Sequence, residues 1–392
     1  MNESSAGWRT VRFGDVVRNV DEAVRDALTC DLERFVGLEH IDPESLRIKR
    51  WGLIADGTSF TRKLTAGQVL FGKRRAYQRK VAVADFEGLC SSDILVFEPA
   101  DDRLLPELLP FIVQTEGFFQ HALGTSAGSL SPRTRWRDLA AYEFPLPPLD
   151  EQRRIAEILW AAEEVFSRTQ ALVAATKLTK QVAIGDLFQR LTSTSVPLGN
   201  WADYVTSGSR WWAQYYSSQG AIFLRVTNLT RESADLDLSD IQFVSPEPSA
   251  ETARTRVAAG DLLVSVTADL GRVAVVPADF PEAYVNQHVA LVRLRPGSAD
   301  PHYVACYLLS AEGQKQFRVL NDAGAKAGMN LVSVQRLQIP NMTMTEQLNV
   351  VGLVRAFDKS LVSQQKHLSQ QMSLRRNLLR YSLNDSQWSG NS

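Results

Sequence analysis

The chain has 392 residues, 44% apolar and 22% charged, with a net charge of −1 at neutral pH. That length accommodates two domains of ordinary size, and the composition excludes fibrous, low-complexity and strongly basic proteins. No apolar run reaches the roughly 18 residues of a membrane span, and Cys30, Cys90 and Cys306 are too few and too scattered for a disulfide framework or a metal-ligand pair. The amino terminus, MNESSAGWRT, has no signal-type apolar segment, which predicts a cytoplasmic protein.

Charge is uneven along the chain. Arg47, Lys49, Arg50, Arg62, Lys63, Lys73, Arg74, Arg75, Arg79 and Lys80 face only Asp56 within their stretch. A local patch of this kind matters more for phosphate contact than the total.

In chain order, Trp8–Val17 is a short lead-in. Arg34–Leu38, Val69–Phe71, Val81–Ala84 and Asp93–Phe97 read as strands, punctuated by Gly67, Gly72, Gly88 and Pro99. Leu104–Leu123 has apolar residues near a 3.6 period and predicts one helix. The segment GTSAGSLSPRTRWR, Gly124–Arg137, reads as a flexible loop. Phe144-Pro145-Leu146-Pro147-Pro148-Leu149 then ends a unit. Prolines lack an amide hydrogen and suit a helix entry, and Asp150 and Glu151 favour the positive end of a helix dipole. From Leu149 to Leu191 there is no proline and a single glycine, Gly185, with an a/d-like apolar stripe. A helix of that length would be about 60 Å long and demands a helical partner.

After a turn-rich linker, Thr192–Asn200, the same order returns. VPLGNWADYV answers WRTVRFGDVV, and FLRVTNLT at Phe223 answers FVGLEHID at Phe35. Ala259-Gly260 and Ala278-Asp279-Phe280 match Ala66-Gly67 and Ala84-Asp85-Phe86. His302–Leu320 answers the helix at Leu104, and Glu346–Ser382 answers the long helix. Ile339-Pro340 and Glu346-Gln347 echo Phe144-Pro145 and Glu151-Gln152. The repeat is too long for a solenoid and reads as a domain duplication. The expected fold class is mixed α/β (α+β): two globules and two long antiparallel coiled-coil helices with a pseudo-two-fold internal repeat.

The order of globule, PLPPLDEQRRIAEIL, long helix, globule, IPNMTMTEQ and long helix resembles the specificity subunit of type I restriction–modification systems. LTAGQVLFGK and AVADF support the resemblance, which covers nearly the whole chain. It implies target-recognition domains at 1–149 and 193–344, spacer helices at 150–192 and 345–383, and a disordered tail at 384–392. It also implies a non-catalytic subunit that reads a split double-stranded DNA site. S-adenosylmethionine would sit in two methyltransferase subunits, and ATP and Mg²⁺ in partner subunits that include the restriction subunits. Pro147, Pro148, Glu151, Gln152, Ile155, Glu346 and Gln347 are the expected partner contacts. The second junction departs from the pattern, with Asn341-Met342-Thr343-Met344 where the first has Leu146-Pro147-Pro148-Leu149.

No catalytic constellation emerges. GQVLFGK at Gly67–Lys73 fits a phosphate-loop pattern, but Arg74 stands where Ser or Thr would hold Mg²⁺, and a strand follows rather than a helix. His40, His121, His288, His302 and His367 form no ligand pair, and no base-methyltransferase motif is present. Lys73, Arg74, Arg75, Tyr77, Arg79 and Lys80 are DNA-contact candidates. On a strand, Lys73, Arg75 and Tyr77 would share a face; the alternative is an edge strand made soluble by charge. Ser126, Ser129, Arg133 and Arg135 in the small-residue loop are further candidates, with a plain surface loop as the alternative. In the second globule the candidates are Arg210, Tyr215, Tyr216, Arg225, Thr227, Asn228, Arg272, Asn286, Gln287, Lys326 and Asn330, since Asn and Gln suit adenine and Arg suits guanine. At least one of Trp211 and Trp212 is expected in the core. An autonomous enzyme lacks its motifs here, and a coiled-coil scaffold without a DNA role leaves two large globules unexplained.

Overall fold

A computed structural model describes residues 7–27, 30–191, 194–208, 210–320 and 328–383. The chain divides into two compact units, Met1–Leu172 with Gln365–Ser392, and Val173–Gln364. Lys326 and the 384–392 tail lie outside the described residues.

The first unit begins with β1 (Arg9–Arg12), α1 (Phe13–Val16) and β2 (Val17–Val20). Then come β3 (Arg34–Val36), β4 (Gly52–Leu53), β5 (Arg62–Leu64), β6 (Val69–Gly72), β7 (Val81–Val83), β8 (Gly88–Cys90) and β9 (Ile94–Pro99). Helices α2 (Leu109–Ile112), α3 (Glu116–Gly124) and α4 (Trp136–Ala140) precede β10 (Glu143–Leu146), which pairs back onto β1. One sheet has the order β2-β9-β6-β7 and the other β4-β3-β8-β5, with β3 and β8 parallel. Strand β6 explains why its sequence is apolar without alternation. Val69 and Phe71 face an aromatic core with Phe13, Phe97 and Phe118, while Leu70 faces the second sheet with Val36, Leu64 and Cys90. Both faces of the central sheet are therefore covered, and neither offers water a polar row.

Helix α5 (Leu149–Leu191) follows. In the second unit come β11 (Ser195–Pro197), β12 (Ala202–Ser207), β13 (Tyr216–Ser217), β14 (Ala221–Leu224) and β15 (Gln242–Val244). They are followed by α6 (Ala250–Thr255), β16 (Leu262–Ser265), β17 (Val273–Val275), β18 (Ala283–Val285) and β19 (Val289–Leu294). Helices α7 (Pro301–Leu309), α8 (Ala311–Val319) and α9 (Leu331–Gln335), strand β20 (Gln338–Pro340) and helix α10 (Met344–Ser382) complete the fold. Its sheet β12-β19-β16-β17 repeats β2-β9-β6-β7; in its sheet β13-β15-β14-β18, with β14 parallel to β18, the run β15-β14-β18 repeats β4-β3-β8, β13 is added at one edge, and a single Arg256–Tyr284 bridge stands for β5. Leu262 and Val264 face one core and Leu263 the other, as in β6.

The expected single helix over Leu104–Leu123 is two helices. Thr115 interrupts it, donating to the Ile112 carbonyl at 2.8 Å and accepting from the Phe118 amide, which caps α3. Ser310 does the same between α7 and α8, through the Tyr307 carbonyl and the Gly313 amide. Periodicity alone misses such breaks because a hydroxyl supplies the backbone bonds that the helix gives up.

Both helix entries are built around a buried glutamine. Gln152 Nε2 donates to the carbonyls of Arg103 and Pro147, and Gln152 Oε1 accepts from Leu105 N at 2.9 Å. Gln347 likewise accepts from Asp300 N and donates to the Met342 carbonyl. Where the second junction lacks prolines, Thr343 and Glu346 form a reciprocal cap: Thr343 N donates to Glu346 Oε2 at 2.8 Å, and Glu346 N to Thr343 Oγ1.

Within each unit the two long helices run antiparallel. In the first, Leu159 of α5 and Leu379 of α10 belong to one core, and Glu163 of α5 lies 3.0 Å from Arg375 of α10. In the second, Thr176 meets Gln364 and Lys180 meets Asp358.

Candidate nucleic-acid interface

The segment after β6 is a turn, not a strand, which corrects the expected shared face of Lys73, Arg75 and Tyr77. Residues Ala76–Gln78 form one 3₁₀ turn, entered and left by Arg75 (φ 55°) and Arg79 (φ 52°) in the left-handed region. Non-glycine residues adopt that region rarely and at a cost, so their neighbours must hold them there. Arg75 N donates to the Pro132 carbonyl at 2.8 Å, and Thr134 N donates to the Lys73 carbonyl. The small-residue loop is thus stitched to the hairpin tip rather than flexible.

Asp93 sits under this junction. It accepts from Arg133 Nε at 2.8 Å and lies 3.3 Å from Arg74 Nη1. Burial alone would raise its carboxyl, but the Arg133 and Arg74 hydrogen bonds hold it below the ordinary carboxylate range. Arg74 also donates to Ser131 Oγ. Lys80 donates to the Leu38 carbonyl, and Arg79 pairs with Glu116 over the Phe119 ring. Ser126 donates to the Ala122 carbonyl. Arg74, Arg79, Lys80, Ser126 and Arg133 are therefore engaged within the fold. Arg75, Tyr77 and Arg135 make no side-chain hydrogen bond or ion pair among the described residues, and Tyr77 is 55% exposed. Ser129 is exposed too.

The upstream cations are also engaged. Arg47 pairs with Glu164 and Lys49 reaches Gln170, both on α5; Arg50 pairs with Asp42, and Arg62 with Asp21 at 2.7 Å. The charge run is in large part internal pairing.

In the second unit Ala268 (φ 66°) stands where Arg75 stands in the first. Met329 N donates to the Val266 carbonyl as Thr134 N does to that of Lys73. Several candidates are corrected to structural roles. Asn228 is buried, accepts from Arg225 N and donates to the Asp237 and Asp240 carbonyls. Arg272 is held by Asp269 and the Leu229 carbonyl, Arg225 by Asp240. Asn286 is buried and accepts from His288 N, and Asn330 caps α9 through Ser333 N. Gln287 contacts His288, and Tyr215 packs on Trp212. Arg210, Tyr216 and Thr227 remain exposed. Trp212 is the core tryptophan, stacked on Phe223, whereas Trp211 is 78% exposed.

Gln152, Ile155 and Gln347 are corrected as direct partner contacts, because their side chains are buried in their own units; Pro147 is buried too. Pro148 and Glu346 are exposed, and Glu151 pairs with Arg154. Two surface features escaped the sequence. Arg34 lies 4.3 Å over the Trp51 ring, a pairing between distant residues. On α5, Ile158, Val165 and Leu172 are exposed at steps of seven, visible in sequence only once the buried stripe is known.

Among the described residues no group of three or more His, Cys, Asp and Glu side chains could hold a metal, and no helix is long and apolar enough to cross a membrane.

Residues 56–172 match the family model of the type I restriction modification DNA specificity domain. The chain is 25% identical over 182 residues to the type I restriction enzyme EcoDI specificity subunit of Escherichia coli, a match covering 45% of this chain and 40% of that protein. It is similar in structure to the type I restriction–modification S subunit from M. genitalium, at TM-score 0.60 and 13% identity, covering 98% of this chain and 97% of that one. A chain from a type I R-M system, studied for complex assembly and conformational transition, gives TM-score 0.60 at 19% identity, covering 98% and 99%. Residues 56–172 thus carry a type I restriction–modification DNA specificity domain, and the chain as a whole has the mixed α/β fold of that family's specificity subunits.

Proposed function

We propose that this chain is the DNA-reading, non-catalytic subunit of a type I restriction–modification complex and recognises a bipartite double-stranded site, one half per unit. The observation that carries the reading is the duplicated two-sheet fold with the same pinned turn in each copy, around Arg75 in one and Ala268 in the other. In the first unit Arg75, Tyr77 and Ser129 are the reading residues, with Arg135 as a further DNA contact; in the second, Arg210, Trp211, Tyr216 and Thr227. Arginine at such a tip can pair bidentately with guanine, and exposed aromatics stack or fill a groove.

The long helices would space the half-sites and dock two methyltransferase subunits. The exposed Ile158, Val165 and Leu172 support this, because a second apolar stripe on a helix already buried along another face suits a further helix. S-adenosylmethionine would be held by those subunits, and ATP and Mg²⁺ by partner subunits, restriction subunits among them, in the cytoplasm. The test is methylome sequencing of cells carrying this chain with its methyltransferase partner. A split adenine-methylated motif supports the reading, and methylation without any such motif overturns it.

A further inference from the structure

A cleft of about 450 Å³ opens in the first unit beside the pinned turn. Asn19, Asp21, Arg62, Lys73, Arg133 and Arg135 line it. Arg62 is matched by Asp21, and Arg133 by Asp93. Lys73 and Arg135 form no ion pair among the described residues, and the lining sets Arg62, Lys73, Arg133 and Arg135 against the single carboxylate of Asp21. The Asn19 amide oxygen is buried without a hydrogen-bond partner. Oxygen and nitrogen of an amide are told apart only by their hydrogen bonds, so either end of the group fits that buried position. Burial lowers the Lys73 ammonium pKa, and the Arg62 charge lowers it further. Asp93 and Asp21 act in the opposite sense and offset this only in part.

We propose that this cleft binds a phosphate group, and that its source is one backbone phosphate of the DNA next to the bases read by the turn. This rests on the DNA-reading function proposed above. Lys73 supplies a point charge and Arg135 a planar donor fork, while Arg62 and Arg133 are held in place by their carboxylates. Among the described residues the second unit does not repeat these cations. The backbone bonds that align the two turns put Val266, Gly328 and Asn330 where the first has Lys73, Arg133 and Arg135. At these aligned positions the two units therefore differ in charge.

The test uses the full chain and the double variant Lys73→Gln/Arg135→Gln, with Arg153→Gln on α5 as a control outside the cleft. Affinity for a mixed-sequence duplex is measured against salt concentration. One phosphate contact contributes about 0.9 to the log–log slope, so the double variant should lose about that much while Arg153→Gln keeps the full slope. In a parallel arm, pyrophosphate is added at constant ionic strength and thermal stability is followed. A change in salt slope assigns the site to the DNA backbone. Stabilisation of the wild type alone by pyrophosphate, with equal slopes, assigns it to a free phosphate compound. Equal slopes together with equal pyrophosphate response overturn the proposal. A wild type that binds no duplex at all refutes the DNA-reading function instead, and the pyrophosphate arm then decides the cleft.

Discussion

Arg375 is the residue whose loss should loosen the first unit most. Its side chain is 10% exposed and faces the Glu163 carboxylate, which is 1% exposed, at 3.0 Å. It also donates to the Glu44 carbonyl at 2.5 Å and lies over the Phe166 ring. Glu163 in turn accepts from Leu46 N. The close Glu163 Oε2 and Arg375 Nη1 atoms are not aligned as a hydrogen bond, so the pair is held by charge and packing. Breaking a buried ion pair from one side costs about 3–5 kcal/mol, and the missing alignment places Arg375→Met near the lower end, about 3 kcal/mol. Glu163→Gln keeps an acceptor for Leu46 N and should cost less. The double variant should cost no more than Arg375→Met alone, because no uncompensated charge is left buried, giving a coupling of about 2 kcal/mol. Hydrogen exchange of the 365–382 segment reads this locally: at 1.4 kcal/mol per factor of ten, Arg375→Met should speed exchange by about 100-fold. A cost below about 1 kcal/mol, or strict additivity of the two changes, would refute the argument.

Thr343→Ala removes the reciprocal cap of α10 and should lower stability by about 1 kcal/mol, seen as a lower urea midpoint; Thr343→Ser should restore it. Asp93 has a depressed carboxyl, so its contribution is present above the ordinary carboxylate pKa and is lost as pH falls through the lower folded value. Acid titration of the wild type, followed by proteolysis of the 126–135 loop, should show a loosening at that low pH. Asp93→Asn should be loosened already at neutral pH, with a weaker pH response. Val165→Asp/Leu172→Asp places charge on the exposed stripe of α5. It should abolish co-purification with the methyltransferase subunits while circular dichroism and melting stay near wild type, and retained co-purification would remove the stripe from the partner surface.

Much of the fold was legible because it repeats. The strands at Val69, Val81 and Ile94, the uninterrupted helix from Leu149 and the alignment of Ala66-Gly67 with Ala259-Gly260 need only local apolar pattern and turn chemistry. Gly67 (φ 89°) and Gly260 (φ 81°) share the backbone state that makes their match physical. The candidate site was less legible. The cation run from Arg47 to Lys80 looks like one patch, yet its acids come from Asp21, Asp93, Glu116 and Glu164, far off in sequence. Pairing across such distances leaves no local signature. The left-handed Arg75 is equally hidden, since nothing in the residue type announces a conformation imposed by the Pro132 carbonyl.

What the two copies keep and what they exchange separates scaffold from reader. Gln68 Oε1 accepts from Thr65 N and Asp261 Oδ2 from Ala258 N, so the same part-buried amide is satisfied by different buried side chains. The same groups reach across to the last sheet strand with inverted polarity, Gln68 donating to Glu98 and Asp261 accepting from Arg293. At the helix entries Leu105 N and Asp300 N each find a glutamine oxygen, while prolines in one copy give way to the Thr343–Glu346 cap in the other. A buried backbone group must be satisfied, and several side chains can do it, so duplication preserves the bond rather than the residue. At the turn Arg74 and Arg79 are tied into the fold, but the side chains of Lys73 and Arg75 make no hydrogen bond or ion pair among the described residues. Val266 occupies the position of Lys73, and Ala268 that of Arg75, in the repeat, on backbones that take the same local path. A fold that fixes this path while the residues at Lys73 and Arg75 vary suits the proposed reading of different half-sites.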